Sequence, residues 1–394
     1  MNALDRAKAL LCPALAVAAL ACASPPAPEP EWALGDPLPD LTAQERARFE
    51  AGRQVFSRVF LAEEGLGPTF NENSCNACHS DPTIGGGGDE TDTHATRFTP
   101  PDRCDLLESQ GGHNVRDQTT PLAAAQGLAR ETLPDGATRG YFTPPALFGR
   151  GLIEFITDES LLALADPDDA DGDGISGRVG RTTSGAVGRF RRKADVARLA
   201  DIAEGGVLVE LGLTTPSHPR EEVYSGPVPA GADPVPEPEI DQPSIDAIAD
   251  FLRFLAPPPR VEIEDEEARR TVDRGEQLFT RVGCAACHTP TLTTGPNAIA
   301  ALDRREVRLY SNLLLHDMGA DLADACAPGA TPSELRTEIL AGLRLRRRYL
   351  HDGRAFSLPE AIALHGGEGA TSRAAYDALP ELDRHALIEF LRTL

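Results

Sequence analysis

The stretch DRGEQLFTRVGCAACH, residues 273–288, ends in a Cys-x-x-Cys-His motif, and a second copy of the motif runs from Cys75 to His79. An amphipathic segment precedes each copy, and the earlier one reads AGRQVFSRV at residues 51–59. Matching segments also close the two halves, EIDQPSIDAIADFLRFL at 239–255 and ELDRHALIEFLRTL at 381–394, with apolar residues at helical spacing. The order helix, motif, helix therefore occurs twice, which indicates an internal duplication.

The spacing of the motif fits covalent attachment of a haem. In Cys-x-x-Cys-His the two thiols add to the vinyl groups of one porphyrin, and the adjacent histidine ligates the iron. We predict these attachment and iron-ligand residues: Cys75, Cys78 and His79 for one haem c, and Cys284, Cys287 and His288 for a second. A redox-active Cys-x-x-Cys pair or part of a zinc site is the alternative. Two copies, each with its histidine and flanking helices, favour haem.

The sixth iron ligand is predicted from the methionines. The chain has two, and Met1 belongs to the leader, so Met318 is the thioether available for the second haem. Its rivals are His316 and, less favoured, Tyr310. The first half has no methionine, so its iron is open, water-bound or ligated by a tyrosine or a histidine. The candidate histidines are His94, His113 and His218. An iron with an exchangeable face can react with peroxide.

The N-terminus has the pattern of an export signal, because a short charged start precedes an apolar stretch that ends in small residues. We predict a signal peptide over residues 1–23. Cleavage would follow Ala23 or precede Cys22, and the second outcome would leave a lipid-anchored cysteine. A Pro-rich tether follows at residues 24–40. The expected location is periplasmic or otherwise extracytoplasmic, with lipid anchoring to the outer membrane as one form.

The expected fold is mainly α, with two cytochrome c-like domains in tandem and long loop insertions in the first. The domains are predicted at residues 41–256 and 265–394, and a short strand pair is expected near Val207 to Leu213. Cys104 and Cys326 lie outside the motifs and could form a disulfide in an oxidising compartment. The sequence leaves that pairing open.

The charge balance restricts the partners. Lys and Arg number 38 and Asp and Glu 61, so the net charge is −23. Nucleic acid is therefore not expected as a partner, and a docking protein should be neutral or basic. Two basic runs, within 189–193 and 344–348, are expected to be solvated; the alternatives are that they dock an acidic partner or pair with haem propionates.

An acidic loop offers a candidate calcium site. Asp169, Asp171 and Asp173 form D-x-D-x-D-G, the first half of a calcium-binding loop. The closing glutamate of an EF-hand is absent, since that position is Gly180. The alternative is an Asp- and Gly-rich surface turn.

Six blocks of sequence, in order, resemble the di-haem oxidoreductase family, catalogued as peroxidases or thiol oxidoreductases and related to bacterial di-haem cytochrome c peroxidases and MauG. The blocks are GLGPTFNENSCNACHSDPTIGGGG (65–88), FTPPALFGRGLIEFI (142–156), ADPDDADGDGISGRVG (165–180), GRFRRKAD (188–195), LYSNLLLHDMG (309–319) and YLHDGRAFSLPEAIALHGGE (349–368). The resemblance covers about residues 41–394. It implies a peroxidatic haem in the first domain, an electron-transfer haem in the second, and often a calcium ion between them.

The resemblance also implies roles for single residues. His79 would be the proximal ligand of the peroxidatic haem, and His288 with Met318 would hold the donor haem. Arg354, which follows the His-Asp-Gly segment, is the candidate contact for a haem propionate. Relatives place a tryptophan between their haems, but Trp32 lies in the tether, so an aromatic relay would use Tyr141 or Tyr310. The distal acid of relatives has no clear counterpart in this sequence, and Glu154 is the candidate for that catalytic role.

These observations predict a peroxidase-like di-haem oxidoreductase. Its substrate would be hydrogen peroxide or a protein, and its electrons would come from a small donor protein, a cytochrome or a cupredoxin. The alternative is a non-enzymatic di-haem electron-transfer protein with both irons closed by two ligands. A thiol oxidoreductase with free Cys-x-x-Cys is a third interpretation, which holds only without haem.

Overall fold

The computed structural model describes residues 32–394, apart from 108–111, 113, 222, 224 and 225. Trp32 to Leu394 form one compact unit, which is helix-rich with small sheets. The predicted signal peptide with Cys22, the start of the tether and the candidate ligand His113 lie outside the described residues.

The helices and strands are numbered along the chain. The helices are α1 (Ala43–Phe56), α2 (Cys75–Cys78), α3 (Pro121–Ala125), α4 (Asp158–Leu164), α5 (Leu199–Val209), α6 (Gln242–Phe254), α7 (Glu266–Arg281), α8 (Cys284–Cys287), α9 (Leu358–Ala363), α10 (Ala370–Asp377) and α11 (Glu381–Leu391). The strands are β1 (Thr69–Phe70), β2 (Asp92–Thr99), β3 (Arg103–Asp105), β4 (Asn114–Val115), β5 (Gln118–Thr119), β6 (Thr138–Phe142), β7 (Gly180–Arg181), β8 (Val187–Gly188), β9 (Leu292–Thr293), β10 (Glu306–Val307), β11 (Leu315–Asp317) and β12 (Glu334–Arg336).

In the first half, α1 packs on α6. Helix α1 begins at Thr42, whose side chain and that of Glu45 form a reciprocal capping box. The two helices approach closely at Gly52, where an added Cβ would lie 2.0 Å from the carbonyl oxygen of Ala247. Only glycine fits at this crossing, because any side chain would collide with the backbone of α6.

The second half repeats this packing with α7 on α11. Helix α7 begins at Asp265, which caps the backbone N–H of Ala268. At Gly275 an added Cβ would lie 2.1 Å from the carbonyl oxygen of Ala386. Gly52 and Gly275 hold the same place in the two quoted segments, so the sequence repeat corresponds to a repeated helix crossing.

The insertion in the first half forms a sheet in which β2 pairs with β3, β4 and β6, all antiparallel. Cys104 lies in β3 and is disulfide-bonded to Cys326, 222 residues away. The pairing that the sequence left open is therefore present, and it ties this sheet to the second half.

Two expectations about local structure were wrong. The tether was expected to extend to residue 40. However, the indole N–H of Trp32 donates to the carbonyl oxygen of Pro257, and the backbone N–H of Leu38 donates to the carbonyl oxygen of Phe254. Residues 32–40 therefore pack on the end of α6, where Leu38 joins the buried core and Trp32 and Leu34 lie against it. The strand pair near Val207 is instead the end of α5, which packs on α6.

Within the described residues, no helix combines the length and the apolar character needed to cross a bilayer.

Candidate functional site

The first motif forms the single-turn helix α2, which Ser74 caps through the backbone N–H of Asn76. His79 follows the helix, and its Nδ1 lies 3.2 Å from the carbonyl oxygens of both Gly86 and Pro145. Both partners accept, so Nδ1 carries the proton and Nε2 is left to bind a metal. Burial lowers the pKa of His79 to about 4, so the imidazole is neutral, as iron ligation requires.

The second motif, in α8, repeats this arrangement. Nδ1 of His288 lies 3.0 Å from the carbonyl oxygen of Tyr310. Burial, followed by the charge of His365, lowers the pKa of His288 to about 4. Phe279 lies beside this histidine, with ring centroids 6.4 Å apart, as Phe56 lies beside His79 at 6.2 Å. The two halves therefore present equivalent histidines in equivalent surroundings.

The four motif thiols do not resemble a reactive thiol pair. Burial raises the pKa of Cys75 and of Cys287 to about 12 and that of Cys284 to about 11, and it also raises the pKa of Cys78. The thiolate is the nucleophilic form in thiol oxidoreductases. Thiols held in the neutral form disfavour the interpretation as a thiol oxidoreductase.

A cavity of about 310 Å³ lies beside His79 and has walls from both halves of the chain. Residues 189–193 and 346–348 line it, so the two basic runs predicted to be solvated meet here instead. Three buried nitrogens in these runs, Arg189 Nε, Arg192 Nη2 and Arg346 Nε, have no hydrogen-bond partner. A buried donor without an acceptor is unfavourable, so this wall fits an anionic group such as a haem propionate.

The candidate histidines of the first half are placed differently from one another. His94 lines the cavity with His79, whereas His218 is mostly exposed and bonds to Ser217. His351 also lines the cavity, with Nε2 3.5 Å from a carboxylate oxygen of Asp324. The sequence interpretation missed His351 as a residue of the first site because it lies in the second half.

Carboxyl groups also reach the first site. Glu210 lines the cavity and accepts a hydrogen bond from Asn71 at 2.8 Å. Burial raises the pKa of Glu210, and burial followed by the charge of Glu210 raises that of Asp92 to about 8. Near neutral pH this pair holds a proton, which the sequence did not reveal because the two residues lie in separate elements.

Glu154, the predicted distal acid, has other partners. One carboxylate oxygen accepts from the Arg253 guanidinium at 3.1 Å, and the other accepts from the backbone N–H of Leu199 at 2.9 Å, at the start of α5. Both contacts are structural, and Glu154 is not among the residues that line the cavity. Its catalytic role gains no support here, because its carboxylate is held by an arginine and a helix terminus.

The second half offers three candidate iron ligands, His316, His365 and Met318; after burial, the charges of the two histidines lower the pKa of His288, so both lie near it. His316 uses both ring nitrogens, one 2.7 Å from Glu368 and one 3.1 Å from Asn312. His365 is held through Nδ1, 2.8 Å from the carbonyl oxygen of Ala361, which leaves Nε2 for a metal. Met318 and His365 lie against the same point, because a Cβ added to Gly369 would be 3.3 Å from Met318 Cε and 3.2 Å from His365 Cβ. The sequence interpretation did not identify His365 as a candidate iron ligand, although this residue lies in the block at 349–368.

The proposed relay and propionate residues are separated in space. Tyr310 is buried, with its hydroxyl 3.3 Å from Glu276 and its carbonyl on His288. Tyr141 is 43% exposed and accepts a hydrogen bond from Arg139. Arg354 bonds to Asp352 and to the carbonyl oxygen of Asp321, and it is not among the residues that line the cavity.

The acidic loop brings carboxylates together in part. Ligand atoms of Asp166, Asp169 and Asp171 lie within 4.8 Å of one another, whereas Asp173 is outside this group. The Asp166 carboxylate also accepts from the backbone N–H of Ala170. Calcium binding at Asp169, Asp171 and Asp173 stays a prediction.

Three glutamates form a second acidic group that the sequence did not reveal, and they make the stability of the protein depend on pH. Carboxylates of Glu221, Glu237 and Glu239 lie within 4.8 Å of one another. Burial, followed by the charges of Glu239 and Glu237, raises the pKa of Glu221 to about 9, above the unfolded value of 4.5. The folded state therefore keeps a proton that the unfolded state releases, so stability falls as pH rises between these values.

Glu221→Gln should remove that fall. We expect its Tm to match the wild type at acidic pH and to exceed it increasingly towards pH 9, in thermal melts across that range. Glu262→Gln, at an exposed position, is the control. A Tm difference independent of pH would contradict the assignment.

Comparison with known proteins gives one family. The family model described as "Di-haem oxidoreductase, putative peroxidase" matches residues 116–394, which include the second motif but not the first. No curated protein matches the sequence.

Several solved structures are similar at low identity. Hydrazine synthase of Kuenenia stuttgartiensis is 13% identical, with 94% of this chain and 98% of that chain covered and a TM-score of 0.40. The diheme peroxidase BthA of Burkholderia thailandensis is 17% identical, covering 88% and 86%, with a TM-score of 0.34. A MauG-like protein associated with microbial copper homeostasis is 18% identical, covering 63% and 88%, with a TM-score of 0.30.

Proposed function

Because the chain belongs to the di-haem oxidoreductase family, we propose that it is an extracytoplasmic peroxidase-like enzyme with two haems c. Peroxide, or a protein substrate, would react at the haem of Cys75, Cys78 and His79, and electrons would enter through the haem of Cys284, Cys287 and His288. The cavity beside His79 carries this proposal, because its lining is rich in arginine and includes Glu210, whose pKa burial raises.

A bound haem would supply an iron that changes oxidation state and, at the first site, an exchangeable face. The chain itself supplies the surroundings of that face. His79 holds its proton on Nδ1 and presents Nε2, while Arg192 and Arg346 present unpartnered nitrogens that would neutralise propionates. Reduction of peroxide to water consumes protons, and Glu210 with Asp92 holds one in the same region.

The second site is proposed to be closed by an additional ligand. The geometry favours His365 over the predicted Met318, since its Nδ1 is anchored on a backbone carbonyl as in most metal-binding histidines. His365→Ala should therefore convert the second haem from low spin to high spin, in visible and electron paramagnetic resonance spectra. Met318→Ala is the matched variant and should keep the low-spin spectrum. The reverse pair of results would restore Met318 as the ligand.

The remaining proposals concern setting and partners. Two tandem cytochrome c-like domains, at residues 41–256 and 265–394, would follow the signal peptide, with lipid anchoring through Cys22 as one form. The Cys104–Cys326 disulfide supports an oxidising compartment. A small cytochrome or cupredoxin would donate the electrons, and calcium would bind at the loop of Asp169.

One preparation tests the function. The protein is matured in a host with haem-attachment machinery, half-reduced with ascorbate and mixed with hydrogen peroxide. We expect two covalent haems per chain by pyridine haemochrome assay, a high-spin signal from the first, and spectral oxidation by peroxide. Two low-spin haems whose spectra do not change when peroxide is added would instead identify the protein as a non-enzymatic electron carrier.

A further inference from the structure

A charged cluster joins the two halves between the candidate haem sites. Glu338 accepts hydrogen bonds from Arg150, from Arg346 at 2.7 Å and from Arg336 at 3.1 Å. The arginines are largely buried, with side chains between 3% and 15% exposed. Although burial would raise it, the charges of these arginines hold the pKa of Glu338 well below its ordinary value. The pair Arg150–Glu338 is therefore a fixed contact between ionised groups.

One end of this pair leads to His79. The Arg150 Nε donates to the carbonyl oxygen of Ala146 at 2.5 Å. Ala146 is bonded to Pro145, whose carbonyl oxygen lies 3.2 Å from Nδ1 of His79. One hydrogen bond and one peptide unit therefore separate the Arg150 side chain from the Pro145 carbonyl group that contacts His79.

The other end leads to His288. Two residues after Glu338, the backbone N–H of Leu340 donates to the carbonyl oxygen of Leu309 at 3.0 Å. Leu309 is bonded to Tyr310, whose carbonyl oxygen lies 3.0 Å from Nδ1 of His288. A continuous path of covalent and hydrogen bonds therefore connects the two histidines.

We propose that the Arg150–Glu338 ion pair is the connection through which single electrons pass between the His288 site and the His79 site. The inference rests on the proposed function for the presence of both haems. A small one-electron donor protein would reduce a haem held by His288, and that haem would then lose one electron as a haem held by His79 gained one. No proton moves, because both members of the pair stay charged. Tyr310 contributes its backbone and not its ring, and Tyr141 is outside the path.

The competing explanation is that the pair only fastens the two halves together. The chain offers a matched control for that role. Arg178 Nε and Glu334 Oε1 are 2.6 Å apart and likewise join the first half to the second, but they lie off the path. Removing Glu334 breaks an ion pair between the halves without breaking the connection.

The test measures electron transfer between the haems directly, without peroxide. The two-haem protein is reduced rapidly by a photochemical donor, and the absorbance of each haem is followed. Glu338→Ala should slow the exchange, because it removes the carboxylate that accepts from Arg150 in the path. Glu334→Ala should leave it unchanged. The proposal would be overturned if Glu338→Ala exchanged electrons at the wild-type rate while it carried both haems and kept an unaltered circular dichroism spectrum.

Two further variants keep the test decisive. Glu338→Gln retains a hydrogen-bond acceptor but loses the negative charge, so it should exchange electrons faster than Glu338→Ala while both reduction potentials rise. If Glu338→Ala does not acquire both haems, Arg150→Lys replaces it, because lysine cannot span Ala146 and Glu338, and the same slowing is expected. If the haems exchange electrons in a way that depends on Glu338 but do not react with peroxide, the proposed function is refuted and this inference is supported.

Discussion

Replacing Cys75 and Cys78 together by Ser is expected to leave one covalent haem per chain instead of two and to abolish the reaction with peroxide. In the proposed function the two thiols would form both thioether bonds of the first haem, so no covalent attachment would remain when they are removed. The matched double variant, Cys284→Ser with Cys287→Ser, should also lose one haem. It should retain a high-spin haem that reacts with peroxide but no longer accepts electrons from a donor protein.

Haem stoichiometry is measured by pyridine haemochrome and by haem staining of denaturing gels, and reactivity by peroxide titration. The two variants are each other's control, since both remove the same number of thiols from equivalent helices, α2 and α8. A peroxide reaction that survives in the first variant and disappears in the second would reverse the roles assigned to the two sites.

Removing the Cys104–Cys326 disulfide should produce the largest loss of stability among the single features of the fold. The bond closes a loop of 222 residues in the unfolded chain, and loss of a native disulfide typically costs about 2–5 kcal/mol. It also fixes the β2–β3 hairpin at the cavity, because Cys326 lines the cavity and its backbone N–H donates to Thr96 Oγ1 at 3.1 Å. We therefore expect the double Ser variant to unfold at lower urea concentration.

Urea titration in the presence and absence of reductant checks this effect. The wild type should lose stability on reduction and approach the Ser variant, whereas the variant should not respond. Equal midpoints for the oxidised wild type and the variant would show that the bond does not contribute to stability.

The duplicated part of the fold was predictable because its determinants are local. Each thiol pair and its histidine are adjacent in sequence, so the chemistry of attachment follows from the motif alone. The repeated glycine and phenylalanine in α1 and α7 were visible as matching segments, and the structure places both glycines at helix crossings. The family assignment made from the quoted blocks was confirmed over residues 116–394.

The walls of the first site were not predictable in this way. The basic runs within 189–193 and 344–348 were expected to face solvent, because nothing local distinguishes a solvated arginine from one that lines a cavity, and residues 189–193 and 346–348 line it. His351 is assigned to the second half by sequence but lines the cavity beside His79. The prediction of a tether was also wrong from Trp32 onward. Its proline content indicated disorder, but its apolar side chains pack against the core.

The sequence by itself thus determined two Cys-x-x-Cys-His motifs, two equivalent helix pairs and membership of a redox family. Tertiary structure alone decided that both halves build one cavity, that Cys104 meets Cys326, and that Arg150 meets Glu338 between the two histidines. The physical reason is distance along the chain. Covalent attachment and helix formation depend on residues a few positions apart, whereas a cavity wall, a disulfide or an ion pair depends on how segments more than a hundred residues apart pack together.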